Sequence, residues 1–212
     1  MSKVITPEAI LSYPWLFNPQ PPMEGSKEDP KYGAVFVFDT EAQDTPEFKA
    51  MKAAAIEVAK EKWGTNAVKM LQEGKLTTPF RTDRDGYAEG SVSVGAKSKS
   101  PPGIVSIYPD ENGKPSKIED ESKVYPGVIV RASMRAFAYD VAGNKGISFG
   151  LNNVQILRDG DRLDGRVAAQ DEFEADMDAV ASLDDLTDES GEGEPAAVPE
   201  AEGADLDLAE LL

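Results

Sequence analysis

Between Val128 and Asp140 the chain alternates so strictly that only a strand with two different faces accommodates it. Val128, Val130, Ala132, Met134, Ala136 and Ala138 form one face, apolar and mostly small, suited to the inside of a tightly curved barrel. Ile129, Arg131, Ser133, Arg135, Phe137 and Tyr139 form the other. Gly143-Asn144 then marks a turn within Val141–Lys145, and 146–157 reads as the returning strand.

Further strands are expected over 10–17, closed by Asn18-Pro19, over 32–38 and 91–96, and over 104–108, which follows Pro101-Pro102-Gly103. The stretch 32–38 is apolar on both alternating faces, as in a strand covered on both sides. One substantial helix begins at Thr45, with Pro46 at its first position and Glu47 at the positive end of the dipole. Phe48, Met51, Ala55, Ala59 and Trp63 make its apolar stripe, and Gly64 stops it. Thr65 is positioned to cap a second, short helix over 67–72. The expected fold is therefore mainly β: an OB-fold-like antiparallel barrel with one substantial α-helix.

The net charge of −17 would argue against a nucleic-acid partner if it were spread evenly. It is not. Residues 1–168 carry 22 basic and 23 acidic residues, whereas 169–212 carry 16 acidic residues and no basic one. Fifteen of the sixteen aromatic residues also lie in the first segment. Two units follow, a nearly neutral folded domain over 1–168 and an acidic tail over 169–212, too polar and charged to bury a core and expected to be largely disordered. Phe173, Met177, Val180 and Leu183, and the leucines of 205–212, intersperse the acids. That mixture suits a solubilising tail, a docking segment for a basic grooved partner, or a competitor of DNA for a basic groove in the same chain.

With no cysteine and no histidine, the chain has no disulfide, no thiolate or imidazole metal site, and no His-based nucleophile relay. No run of apolar residues is long enough for a membrane span, and the N-terminus lacks a signal-peptide core, so a cytoplasmic protein without cofactor or metal is expected.

Two guanidiniums and two aromatic rings on one outward strand face have a specific use. Unstacked bases lie on aromatic planes, while arginines hold phosphates; a duplex hides its base faces, so such a surface favours single strands. The same pattern also fits rings tucked under a loop and arginines in surface ion pairs. Lys97 and Lys99, in the Gly/Ser-rich 95–102 segment, and Arg81 and Arg84, near Phe80 and Tyr87, add cations. Asp83-Arg84-Asp85-Gly86 with Glu89 has the wrong spacing for a calcium loop and reads as a polar turn. Asp110, Glu121 and Lys123 resemble the spaced acids and lysine of a metal-dependent nuclease, the alternative from another class, although their interval is loop-like. A third reading is an acidic chaperone for basic proteins.

Longer segments carry a resemblance. These are Tyr125-Pro126-Gly127-Val128-Ile129-Val130-Arg131-Ala132-Ser133, Tyr139, the run from Gly143 through Gly150-Leu151-Asn152-Asn153-Val154-Gln155, and Arg158-Asp159-Gly160-Asp161-Arg162-Leu163. Together with Leu11-Ser12-Tyr13-Pro14, Pro79-Phe80-Arg81 and Ala96-Lys97-Ser98-Lys99, the chain resembles a tailed-phage single-stranded DNA-binding protein family, formerly a domain of unknown function. The resemblance implies an OB-fold, single-stranded DNA binding and an acidic tail used for replication partners. Several proteins of this functional class close their tail with phenylalanine; here the last residues are Leu211-Leu212.

The resulting expectation is a non-enzymatic protein that coats single-stranded DNA with little sequence preference during phage replication or recombination, in the host cytoplasm. Arg131, Arg135, Lys97, Lys99 and Arg81 would meet phosphates; Phe137, Tyr139, Tyr13 and Trp15 would stack on bases. The tail would screen the groove and recruit replication or recombination proteins. Both a monomer and a dimer are compatible with the sequence.

Overall fold

The computed structural model describes residues 3–165 apart from 23, 26, 27, 83, 84 and 142. The tail, Arg84 and part of the 83–86 turn lie outside the described residues. In chain order the strands are β1 (Lys3–Ile5), β2 (Ala9–Gln20), β3 (Lys31–Phe38), β4 (Phe80–Arg81), β5 (Val92–Ser98), β6 (Gly103–Pro109), β7 (Pro115–Lys117), β8 (Ile129–Val141) and β9 (Asn144–Arg158). Helices α1 (Thr40–Asp44), α2 (Pro46–Trp63) and α3 (Asn66–Gln72) all fall between β3 and β4.

Strand pairing closes a ring. β2 pairs with β3, β3 with β5, β5 with β9, β9 with β8, and β8 returns to β2. Every seam is antiparallel except β5–β9, which is parallel. This is a five-stranded OB-type barrel. Outside the ring, β6 adds to β9 and carries β7, β1 adds to β8, and β4 adds to β5.

The alternation of the long strand is realised: Val130, Ala132, Met134 and Ala136 are buried, while Arg131, Arg135 and Phe137 are exposed. Leu11, Phe36, Val94, Ala96, Phe149, Leu151 and Val154 meet them inside the barrel. The small alanines let the strands curve closely around the larger Phe36 and Phe149.

Helix α2 follows its sequence signals. The Thr45 hydroxyl accepts the Phe48 amide at 3.3 Å, a cap worth about 1 kcal/mol, and Gly64 ends the helix with φ 62°. Phe48 links α2 to the barrel through edge-to-face contacts with Phe38 at 5.2 Å and Phe80 at 5.6 Å; Phe80 continues to Phe149 at 6.0 Å. Each such pair contributes about 0.5–1.5 kcal/mol beyond its buried area.

Several elements differ from the sequence expectation. β2 runs on to Gln20 through Pro14 and Pro19, because register shifts between Ser12 and Trp15 and between Trp15 and Gln20 excuse the prolines from the ladder. Thr65 makes no side-chain cap; its backbone is already helical. Lys97 lies on β5 rather than in a loop, since β5 pairs with β3 as far as Ser98. On β3 Ala34, Phe36 and Phe38 are buried on the inward face, and Gly33 and Val37 on the outward one, where Lys31 and Val35 are only half-buried.

Candidate nucleic-acid interface

The outer surface of the barrel is built around a break in β2. Tyr13 has φ 47°, which makes it the one non-glycine residue with positive φ among the described residues. This left-handed conformation costs about 1–2 kcal/mol for an L-residue with a Cβ. It accompanies the loss of register between Ser12 and Trp15 and leaves Tyr13 64% and Trp15 38% exposed. Strain is thus held where two aromatic rings are turned outward.

Those rings border a groove of about 310 Å³. Arg81, Lys97 and Tyr139 line it too, as do Gly33, Val35, Gly95 and Ser148 on the strands and Thr77 and Thr78 before β4. Five of the nine residues selected from the sequence therefore share one depression. The Tyr139 ring crosses β9 at Gly146, where an added Cβ would lie 2.6 Å from the Tyr139 hydroxyl.

Strand register carries the outer surface onward from the groove around the barrel. Trp15 pairs with Gly33, Gly33 with Lys97, Lys97 with Gly150, and Gly150 with Arg135. Register partners project from the same side of a sheet, so this row crosses five strands on the outer surface. Phe137, 39% exposed, pairs with the groove residue Ser148. Arg131 stands farther along β8, opposite Gln155, outside the groove and beyond a register irregularity at Ser133/Met134. Lys99 is exposed in the bend after β5 and does not line it.

Among the described residues, Arg81, Lys97, Lys99, Arg131 and Arg135 form no ion pair. Nor are Phe137 and Tyr139 fully covered, so the reading in which this face packs away does not describe it. Lys97 also acts at a distance. Glu28 is held below the usual carboxylate range chiefly by its hydrogen bond and charge contact with Lys31, and Lys97 adds a smaller pull.

Glycines were the signal missed in the sequence. Gly inside a strand weakens it unless something must approach the backbone. Gly33, Gly95 and Gly150 all lie on this outward face, and a Cβ at Gly95 would meet nothing within 4 Å.

The acids of the nuclease alternative serve local structure instead. The Asp110 carboxylate accepts the amides of Asn112 at 2.8 Å and Lys114 at 2.9 Å in the β6–β7 turn. Glu121 begins a 3-10 turn, Glu121–Lys123, and accepts the Asn18 side-chain amide. Among the described residues no group of three or more acids is arranged to hold a metal ion, and no helix is long and apolar enough to cross a membrane.

A five-stranded barrel whose outer groove sets aromatic rings beside cations that form no ion pair among the described residues defines a class, the OB-type barrels. Within that class the chain belongs to the family described as Enterobacter phage Enc34, ssDNA-binding protein, whose model matches residues 2–185. A putative protein p50 of Acyrthosiphon pisum secondary endosymbiont phage 1 is 33% identical over 174 residues, covering 77% of this chain and 88% of the relative. The single-stranded DNA-binding protein of bacteriophage Enc34 in complex with ssDNA superposes with a TM-score of 0.59 at 18% identity, over 76% of this chain and 88% of that one. The single-stranded DNA-binding protein gp2.5 of bacteriophage T7 gives 0.55 at 13% identity, over 83% and 99%. At these identities the two structures speak for a shared fold.

Proposed function

We propose that this chain binds single-stranded DNA with little sequence preference, in the groove between Tyr13 and Tyr139, during phage replication or recombination in the host cytoplasm. The observation that carries the reading is the meeting of Tyr13, Trp15 and Tyr139 with Lys97 and Arg81 in one open depression. Any base can stack on an aromatic face, at about 1–3 kcal/mol each, and the cations take the phosphates. Arg135 and Phe137 extend the surface along β8; Arg131 and Lys99 flank it. Family membership supports the same ligand.

The acidic tail, 169–212, acts in this reading as a regulator that competes for the groove and as a recruiting segment for replication or recombination proteins. The protein performs no chemistry on the strand.

Fluorescence anisotropy with labelled single-stranded and duplex oligonucleotides of equal length tests the proposal. Tighter binding of the single strand is expected, weakening as salt rises. No binding of single strands at low salt, or shortened product in the presence of Mg²⁺, would overturn it.

A further inference from the structure

Beyond the barrel, β1 places Lys3 directly opposite Arg135. Lys3 and Arg135 are both exposed, while Val4, between the outward Lys3 and Ile5, is buried. Two cations thus face each other across an antiparallel pair, an arrangement that destabilises a sheet unless something negative lies over it. Among the described residues neither has an acidic partner.

The strand bearing Lys3 is firmly attached. The buried Thr6 hydroxyl accepts the Ala132 amide at 2.9 Å, and the Thr6 amide donates to the Ala132 carbonyl at 2.9 Å. Helix α2 packs against β1 as well. Lys3 is therefore held in register next to Arg135.

We infer that the DNA path runs beyond the groove along one register row, Trp15–Gly33–Lys97–Gly150–Arg135–Lys3, and that Lys3 is a phosphate-binding residue at its far end. This rests on the single-stranded DNA reading above and gives it a length. Gly150, between Lys97 and Arg135, leaves the row low there, so a backbone can lie close to the sheet between those two cations. Five inter-strand steps of about 4.8 Å give a path of about 24 Å winding around the barrel, room for about four to seven nucleotides depending on how far the strand is stretched.

The test uses the full chain, wild type and Lys3→Gln, with Lys117→Gln as control; Lys117 sits on β7 and is paired with Glu119 at 2.6 Å. Thymidine oligonucleotides of about four, seven and twelve nucleotides are titrated at several salt concentrations. Wild-type affinity should rise steeply up to about seven nucleotides and only statistically thereafter. Lys3→Gln should lose about three- to tenfold on the seven- and twelve-nucleotide strands, lose less on the shortest, and reduce the log–log salt slope on the longer strands by about 0.7. Lys117→Gln should behave as wild type. Equal affinity and slope for Lys3→Gln and wild type on the longer strands, or an equal loss in Lys117→Gln, would overturn the inference and leave the groove reading standing. If wild type binds no strand of any length, the DNA reading itself falls.

Discussion

Gly33 on β3 and Lys97 on β5 are register partners pressed so close that a Cβ on Gly33 would lie 3.0 Å from the Lys97 Cγ. The same Cβ would lie 2.6 Å from the Ala96 carbonyl oxygen, a backbone atom that cannot move without the strand. Gly33 is thus fixed by sterics, and the Lys97 stem uses the space it leaves. Gly95, two residues before Lys97, meets nothing.

The two glycines should separate folding from binding. Gly33→Ala is expected to lower the melting temperature and weaken DNA binding together. Gly95→Val should fold at least as well as wild type, since glycine in a strand costs roughly 0.5–1 kcal/mol, yet it should block the groove and reduce affinity by about tenfold or more. Thermal denaturation and anisotropy on both variants check this. A Gly95→Val protein that binds normally would remove this part of the groove from the DNA path.

Tyr13 invites a different comparison. Its φ of 47° suits glycine, and its ring is mostly exposed, so the fold gains little from the side chain. Tyr13→Gly should leave stability unchanged or raise it by about 1 kcal/mol, as the left-handed strain is relieved. Loss of one stacking ring should weaken binding by about five- to a hundredfold. If binding survives and stability falls, Tyr13 is a structural residue and the strain at its backbone has another cause.

How much of this was legible in the sequence depended on the range of the interactions. The faces of β8 could be read because alternation is local: each side chain's direction follows from its neighbours two residues away. The α2 boundaries could be read from Thr45, Pro46 and Gly64 for the same reason. β1 and β4 could not, because strands as short as Lys3–Ile5 and Phe80–Arg81 hold no periodicity and exist only through β8 and β5. In the sequence Lys97 and Arg135 stand as separate cations, 38 residues apart. That Gly150 stands between them is a fact about register across three strands, which no local pattern encodes.

Two of the segments that carry the family resemblance, 125–133 and 158–163, pack against each other in the scaffold. The Tyr125 hydroxyl donates to Asp159 at 3.0 Å and accepts the Gly160 amide at 3.2 Å, the Arg162 guanidinium lies 4.6 Å over its ring, and a Cβ on Gly127 would overlap the Asp161 carbonyl. The two segments thus clasp each other at the end of β9. Burial, ahead of the Asp159 charge, pushes the Tyr125 phenol up from its ordinary value. A raised folded-state value means that this stabilisation is complete below the unfolded phenol's value of about 10 and is lost as pH rises through the folded one. Tyr125→Phe should therefore cost about 1 kcal/mol near neutrality, shrink the difference from wild type above about pH 10, and leave DNA affinity unchanged. Denaturation at several pH values with parallel binding measurements checks this; weaker DNA binding at full stability would place these segments in the interface instead.

The tail is tested by its removal. If 169–212, with sixteen acids and no basic residue, competes for cations that have no acidic partner among the described residues, then a chain ending at Ala168 should bind single strands more tightly than the full chain. The competition is electrostatic, and the screening length falls from about 30 Å at 0.01 M salt to about 8 Å at 0.15 M. The gap between the two chains should accordingly be largest at low salt and narrow as salt is added. DNA releases counterions on binding, so both affinities fall with salt, but the full chain should show the shallower slope, because salt also weakens its competitor. Adding the tail as a separate peptide should restore part of the inhibition at low salt. Equal affinities and parallel slopes for the two chains would show that the acids do not reach the groove, leaving partner recruitment as the tail's role.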